Sequence, residues 1–222
     1  NQVVKLQSQV ATLYRESGQS DRAVAAYQQA LRIAEQRGDQ LMEGNLLGDL
    51  GAVYWEIGEC SAALDVYVRA LSLARLARND TQIVKLLMGI GRVNDTEGHF
   101  DDALDAYAEA LRLVRQINNG ALEAEVLANQ GDAFRGAGQF DNALKAYQQA
   151  LRLAQRYALL GLQMEIYAGM GGAYRESGQY EQAFQPYRQA LALAQRLKQL
   201  RAQGEILLGI GRSYRDLGQY DP

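Results

Sequence analysis

Cysteine, histidine and tryptophan occur once each in these 222 residues, and proline twice. Each scarcity removes a class of chemistry. A lone Cys60 makes neither an internal disulfide nor a cysteine-based metal site, which fits a reducing, cytoplasmic setting. His99 lies in the turn-like stretch EGHF with no second histidine to share a metal, so a solvated turn residue is expected. No apolar run approaches the roughly 18 residues that cross a bilayer, and no basic, apolar leader opens the chain. It begins at Asn1 without a methionine, which leaves room for a leader already removed. A net charge of −3 lacks the basic footprint of general nucleic-acid binding. Acidic residues such as Asp101, Asp102 and Asp216 fall where helices start or end, as caps or dipole partners. No catalytic triad, acid–base pair or metal cluster stands out. The expectation is therefore no enzyme, no cofactor, and no nucleic-acid or membrane partner.

What is present in quantity is the helix-favouring set Ala, Leu, Gln, Glu and Arg, together with 22 glycines. The stretch GMGGAYRESGQY (169–180) could pass for a loop that wraps a phosphate, but it recurs every forty residues without a slip. Gly18, Gly58, Gly98, Gly138, Gly178 and Gly218 share one column, and Gly51, Gly91, Gly131, Gly171 and Gly211 another, where the first repeat has Ala11. Tyr27, Tyr67, Tyr107, Tyr147 and Tyr187 form a third, and alanines at 23, 63, 103, 143 and 183 and at 30, 70, 110, 150 and 190 two more. A fixed period of this size is the mark of a solenoid.

Apolar spacing within a period is helical, twice over. Leu47, Leu50, Gly51, Tyr54 and Ile57 make one stripe and Ala63, Leu64, Tyr67, Ala70, Leu71 and Ala74 another, with Gly58 stopping the first helix. First helices are expected near 2–17, 41–57, 81–97, 121–137, 160–177 and 200–217, with five second helices between them. Turn chemistry closes the repeats at GDQ (38–40), ND (79–80) and NNG (118–120), but is weak at ALLG (158–161) and KQLR (198–201). A phosphate loop must follow a strand and open a helix. Gly169, Gly171 and Gly172 fall in mid-helix instead. An interior glycine costs roughly 1 kcal/mol against alanine, so close approach of the paired helix, led by Ala183 and Tyr187, is the expected gain. Pro186 stands where other second helices have Ala26, Val66, Ala106 and Ala146, and a bend or local opening is expected there. Cys60 shares the column of Phe100, Phe140, Tyr180 and Tyr220 and is expected as a small core filler.

The pattern Leu47, Leu50, Gly51, Tyr54, then Ala63, Tyr67, Ala70, closely resembles the tetratricopeptide repeat across the whole chain. The period is forty rather than the usual value of about thirty-four, and Arg75, Arg115, Gln155 and Gln195 replace the family's helix-ending proline. Longer repeats of this kind are similar to those of Pins-type adaptors, kinesin light chains and the sensor arms of bacterial signalling ATPases and caspase-like proteases. The resemblance implies an all-α, right-handed superhelical solenoid of antiparallel helix pairs, one domain over 1–222. Its repeats lie near 1–40, 41–80, 81–120, 121–160, 161–199 and an incomplete 200–222, about five and a half in all. The closing GQYDP looks like the start of a sixth second helix, so a fragment of a larger, bacterial protein is expected, with the uncapped last first helix prone to self-association.

The family places partners along a groove lined by the first helices. Columns on that face give a groove of Met88, Arg92, Ala128, Arg135, Ala168, Gly172, Arg175, Leu208, Arg212 and Arg215. Two readings of its arginines stay open. They pair with Glu125, Glu165, Glu205, Glu176 and Asp216 in surface ladders, or they receive carboxylates of a bound segment. The family's carboxylate-clamp column reads Asp49, Gly89, Asn129, Gly169 and Gly209, a departure that argues against a borrowed ligand. The leading expectation is a non-catalytic interaction module that holds an acidic, partly apolar protein segment or peptide. The alternative is a sensor or autoinhibitory arm of a larger signalling ATPase or caspase-like protease.

Overall fold

The structure, a computed structural model, describes residues 2–218. Among the described residues it contains eleven α-helices and no strand. The helices are α1 (Gln2–Glu16), α2 (Ser20–Gln36), α3 (Gln40–Glu56), α4 (Cys60–Leu76), α5 (Asp80–Thr96), α6 (Phe100–Gln116), α7 (Gly120–Gly136), α8 (Phe140–Arg156), α9 (Leu160–Glu176), α10 (Tyr180–Arg196) and α11 (Leu200–Asp216). The expected spans hold to within a residue or so at each end.

The geometric period is half the sequence period. A helix begins every twenty residues from Ser20 to Leu200, and each of these runs seventeen residues before a three-residue turn. The turns share one mechanism. At Gly18, with φ +73°, the backbone N–H of Gln19 donates to Tyr14 O at 2.8 Å and that of Gly18 to Arg15 O at 3.0 Å, the bond pair of a Schellman motif. The second-to-first junctions use the same bonds with Gly38, Arg78, Asn118, Ala158 and Lys198 at φ between +51° and +67°. Helix starts then differ in how they are held. Asp39, Asn79 and Asn119 cap their helices by accepting from the N–H of Met42, Gln82 and Leu122 at 3.1–3.2 Å. At the two junctions with weak turn signals, Gln163 and Gln203 reach back instead and donate to the carbonyls of Ala154 and Ala194.

By contacts the chain divides into two compact units, Asn1–Leu113 and Val114–Pro222. In the first, α1 packs on α2, α2 on α3, α3 on α4 and α4 on α5; in the second, α7 through α11 pack in the same serial order. First helices also touch their neighbours, α3 with α5, α7 with α9 and α9 with α11. The tyrosine column holds the pairs together. A Cβ on Gly51 would stand 2.7 Å from the Tyr67 ring, and one on Gly89 2.6 Å from the other part of that ring, so α4 inserts Tyr67 between α3 and α5. Tyr147 and Tyr187 are inserted the same way, Tyr147 between Gly131 and Gly169 and Tyr187 between Gly171 and Gly209. Gly51, Gly131 and Gly171 are therefore sockets for aromatic rings, and Gly89, Gly169 and Gly209 of the carboxylate-clamp column belong to the same packing.

Pro186 does not break its helix. α10 runs continuously from Tyr180 to Arg196 with Pro186 buried inside it, and its first turn is loose. There Ala183 N to Gln179 O lengthens to 3.3 Å, against 2.9 Å at the equivalent Ala143 N to Gln139 O of α8. Cys60 is half buried, consistent with a filler. The GQYDP end beyond Gly218, including Tyr220, lies outside the described residues.

Candidate partner-binding face

In the second unit, α7, α9 and α11 bound an open cleft of about 420 Å³. Its floor is small because Ala168, Gly169 and Gly172 contribute almost no side chain, and Met164 and Ile206 add apolar surface. Charge of both signs lines the walls: Arg135, Arg175 and Arg212 beside Asp132, Glu165, Glu176 and Glu205. Two of the arginines are already engaged. Arg135 Nη1 donates to Glu176 Oε1 at 3.0 Å, and Arg175 meets Glu176 at 3.0 Å and Asp216 at 3.6 Å, which in turn accepts from Arg215 at 2.9 Å. One chain of ion pairs thus crosses α7, α9 and α11. Tyr147 ties it to the core, since it donates its hydroxyl to Asp132 Oδ1 at 2.6 Å.

Glu165 makes no ion pair among the described residues. Burial along the cleft wall, then the like charges of Asp132 and Glu125, push its carboxyl above the usual range. Asp132 is pushed up as well, by burial that its Tyr147 and Arg135 contacts only partly offset. Arg212 lies exposed and makes no ion pair among the described residues.

In the first unit, α1, α3 and α5 line a second cleft of about 430 Å³, with Asn45, Asp49, Lys85 and Arg92 on its walls. Trp55 carries the Arg92 guanidinium over its ring at 4.5 Å and donates its indole N–H to Thr96 Oγ1 at 3.0 Å. Arg15 pairs with Glu56 at 3.6 Å. Burial raises the carboxyl of Asp49 in spite of nearby Arg15 and Lys85.

The ten expected groove residues do not share one environment. Arg135, Ala168, Gly172, Arg175 and Arg212 meet in the second unit's cleft. Ala128 of α7 is buried, and Leu208 and Arg215 of α11 are exposed, all three outside that lining. In the first unit Arg92 lines the other cleft, whereas Met88 is buried. Asp132, Glu165 and Glu205 fall on the columns of the groove face and line the cleft, whereas column reasoning missed Glu176 as a lining group and the role of the tyrosine hydroxyls. A signal for the ion pairs is present in the sequence, because Glu56, Glu176 and Asp216 follow Arg15, Arg135 and Arg175 by forty-one residues. Among the described residues no group of three His, Cys, Asp or Glu could hold a metal ion, and no helix is long and apolar enough to cross a membrane.

Serial helix pairs with the tyrosines of α4, α8 and α10 each locked between two first helices define a helical-repeat solenoid. The tetratricopeptide repeat profile matches residues 2–75, 82–156 and 162–222. The chain belongs to the tetratricopeptide repeat family, whose fold is a protein-interaction module. No curated protein matches it significantly in sequence. Solved structures do match in fold. A signal-transduction ATPase with numerous domains (STAND) from Pyrococcus horikoshii, which carries a tetratricopeptide repeat sensor, superposes with a TM-score of 0.78 at 17% identity, over 94% of this chain and 32% of its own. A Rap protein complexed with competence and sporulation factor gives 0.83 at 15% identity, over 97% of this chain and 63% of its own. Kinesin light chain TPR-like repeats from Podosopora anserina give 0.70 at 16% identity, over 88% and 96%. This chain thus spans about a third of the ATPase and under two thirds of the Rap protein.

Proposed function

We propose that this chain is a non-catalytic interaction module that holds a peptide or helical segment of another protein against its first helices. The cleft of α7, α9 and α11 carries the reading, because a floor of Ala168, Gly169 and Gly172 leaves room for a backbone between charged walls. The segment is acidic and partly apolar: Arg212 is exposed with no ion pair among the described residues, and Leu208 beside it is 55% exposed. The Rap protein complexed with competence and sporulation factor supports the idea that such a stack holds a ligand. The open side of α11, where Leu207 is 53% exposed, supports self-association through that helix.

Arg212 and Gly172 offer the cleanest test, since neither takes part in the ion-pair chain. Peptides selected from a random library on the wild-type protein should be acidic with apolar residues, and should bind less as salt rises. Arg212→Glu and Gly172→Leu should each lose them with helicity intact. Equal retention by all three proteins refutes the groove. A second reading, a sensor or autoinhibitory arm of a larger signalling enzyme, draws support from the fold shared with the STAND sensor. An effector domain in the same polypeptide would favour it.

A further inference from the structure

The cleft of α7, α9 and α11 keeps one charge of each sign without an ion pair among the described residues, Glu165 and Arg212. Its other charges are taken. Arg135 meets Glu176 at 3.0 Å and Asp132 at 3.8 Å, and Arg175 shares Glu176. Glu205 pairs with Arg201 on its own helix at 2.9 Å. Glu165 and Arg212 do not satisfy each other, because they stand at different levels of the stack. Glu165 on α9 shares the column of Glu205, and Arg212 lies seven residues beyond Glu205 on α11, about 10 Å at the helical rise. At the levels between them the lining is uncharged, with Ala168, Gly169, Ile206 and Gly209.

Each end calls for a counter-charge. Desolvation, then the like charges of Asp132 and Glu125, raises the Glu165 carboxyl, and a cation set there would relieve both. Glu205, in the same column one first helix further on, adds to this acidic end, since its partner Arg201 has a side chain 94% exposed and such a pair is worth little. Among the described residues these carboxylates are not grouped to hold a metal ion, so the cation that fits is a lysine or arginine side chain. At the other end Arg212 is exposed and free to receive a carboxylate. A uniformly acidic segment would satisfy Arg212 and bring more like charge to Glu165.

We infer that the occupant of this cleft is a dipolar, extended peptide segment of another protein, with a lysine or arginine at Glu165 and a carboxylate at Arg212, three or four residues apart. This rests on the reading of the cleft as the partner site and adds the cation that acidity alone leaves out. The spacing follows from the separation of the two anchors, because about 10 Å is roughly three residues of extended chain. An extended chain also suits the floor of Ala168, Gly169 and Gly172, which admits a bare backbone, whereas a helix is sheathed in side chains to a diameter of about 10–12 Å.

The test uses the full 222-residue chain and a labelled peptide of alanine and leucine carrying one lysine and one glutamate at that spacing, read by fluorescence anisotropy. One control peptide has glutamine for the lysine, and another sets the two charges at the wider spacing of a helix face. The dipolar peptide should bind saturably, and the glutamine control roughly tenfold more weakly, the worth of a hydrogen bond to a charged group. Glu165→Gln should weaken the lysine peptide to the same degree and leave the glutamine control unchanged, as two groups in contact require. Its melting temperature should not fall, since a like charge is removed, so lost binding is not lost folding. Equal loss with both peptides, or no loss with either, would place the lysine elsewhere and overturn the assignment. Tighter binding of the helix-spaced peptide would overturn it too. If acidic library peptides bind through Arg212 with no basic residue enriched and no response to Glu165→Gln, the dipolar inference falls and the partner-binding reading stands. If neither the library nor the dipolar peptide binds, both fall.

Discussion

Gly171 and Gly211 occupy one column of the repeat, and the structure gives alanine opposite effects at the two. At Gly171 a new Cβ would stand 2.7 Å from Cδ1 and Cε1 of Tyr187. That ring cannot retreat, because on its far side a Cβ on Gly209 would already be 2.8 Å from Cζ. At Gly211 nothing lies within 4 Å. Both substitutions gain about 1 kcal/mol of helix propensity, whereas overpacking costs about 1–3 kcal/mol where the neighbour is fixed. Gly171→Ala should therefore be destabilising by up to about 2 kcal/mol, and Gly211→Ala stabilising by up to about 1 kcal/mol. Because the propensity gains cancel in the comparison, the difference of about 1–3 kcal/mol measures the steric contact alone. Repeat arrays unfold in part locally, so denaturant melts should be run beside amide exchange of α9 and α11. Equal stabilisation by the two alanines would show that Tyr187 does not need Gly171 as a socket.

Pro186→Ala should raise thermal stability, since it restores the N–H that would bond the carbonyl of Gln182 and relaxes the lengthened first turn of α10; an unchanged or lower melting temperature would count against the strain. Arg78→Gly, Ala158→Gly and Lys198→Gly should each stabilise by on the order of 1 kcal/mol, because these residues hold φ of +51° to +57° where a Cβ is penalised, and a loss in denaturant midpoint would refute this. Glu165→Gln should raise the melting temperature at neutral pH. The folded chain holds that proton more tightly than the unfolded chain, so ionisation at neutral pH costs stability. The advantage of the variant should shrink as pH falls through the carboxylate range and wild type protonates; a gain independent of pH would remove the titration argument.

Helix positions were legible because the chain repeats its own evidence. Five copies of the Gly, Tyr and Ala columns fix the phase of each helix more firmly than any one stretch does, and even the weak junctions at 158–161 and 198–201 had to fall in step. There the stack, not the turn residues, sets the geometry. Ala158 and Lys198 take left-handed φ with no local preference for it, and Gln163 and Gln203 supply the bonds that Asp39, Asn79 and Asn119 supply elsewhere. At Pro186 too the packing shares in setting the geometry, since α10 continues through the missing bond where Tyr187 packs against α9 and α11.

The candidate site was legible as a face, and its ion pairs only in part, through the forty-one-residue offset of Glu56, Glu176 and Asp216 from their arginines. Column spacing places Arg135, Arg175 and Arg212 correctly on α7, α9 and α11, because a helix face follows from register alone. Which carboxylate each arginine takes depends on side-chain reach between neighbouring helices. Of the five acids within range by sequence, Glu176 and Asp216 hold the arginines, Glu205 pairs with Arg201 instead, and Glu165 is left among like charges. This matters for recognition. The charges of Arg135 and Arg175 are already shared with Glu176 and Asp216, so an incoming carboxylate competes with those acids and gains little net energy there. Arg212 has no ion pair to exchange among the described residues, so under the proposed function a preference for an acidic segment rests on Arg212 more than on Arg135 and Arg175.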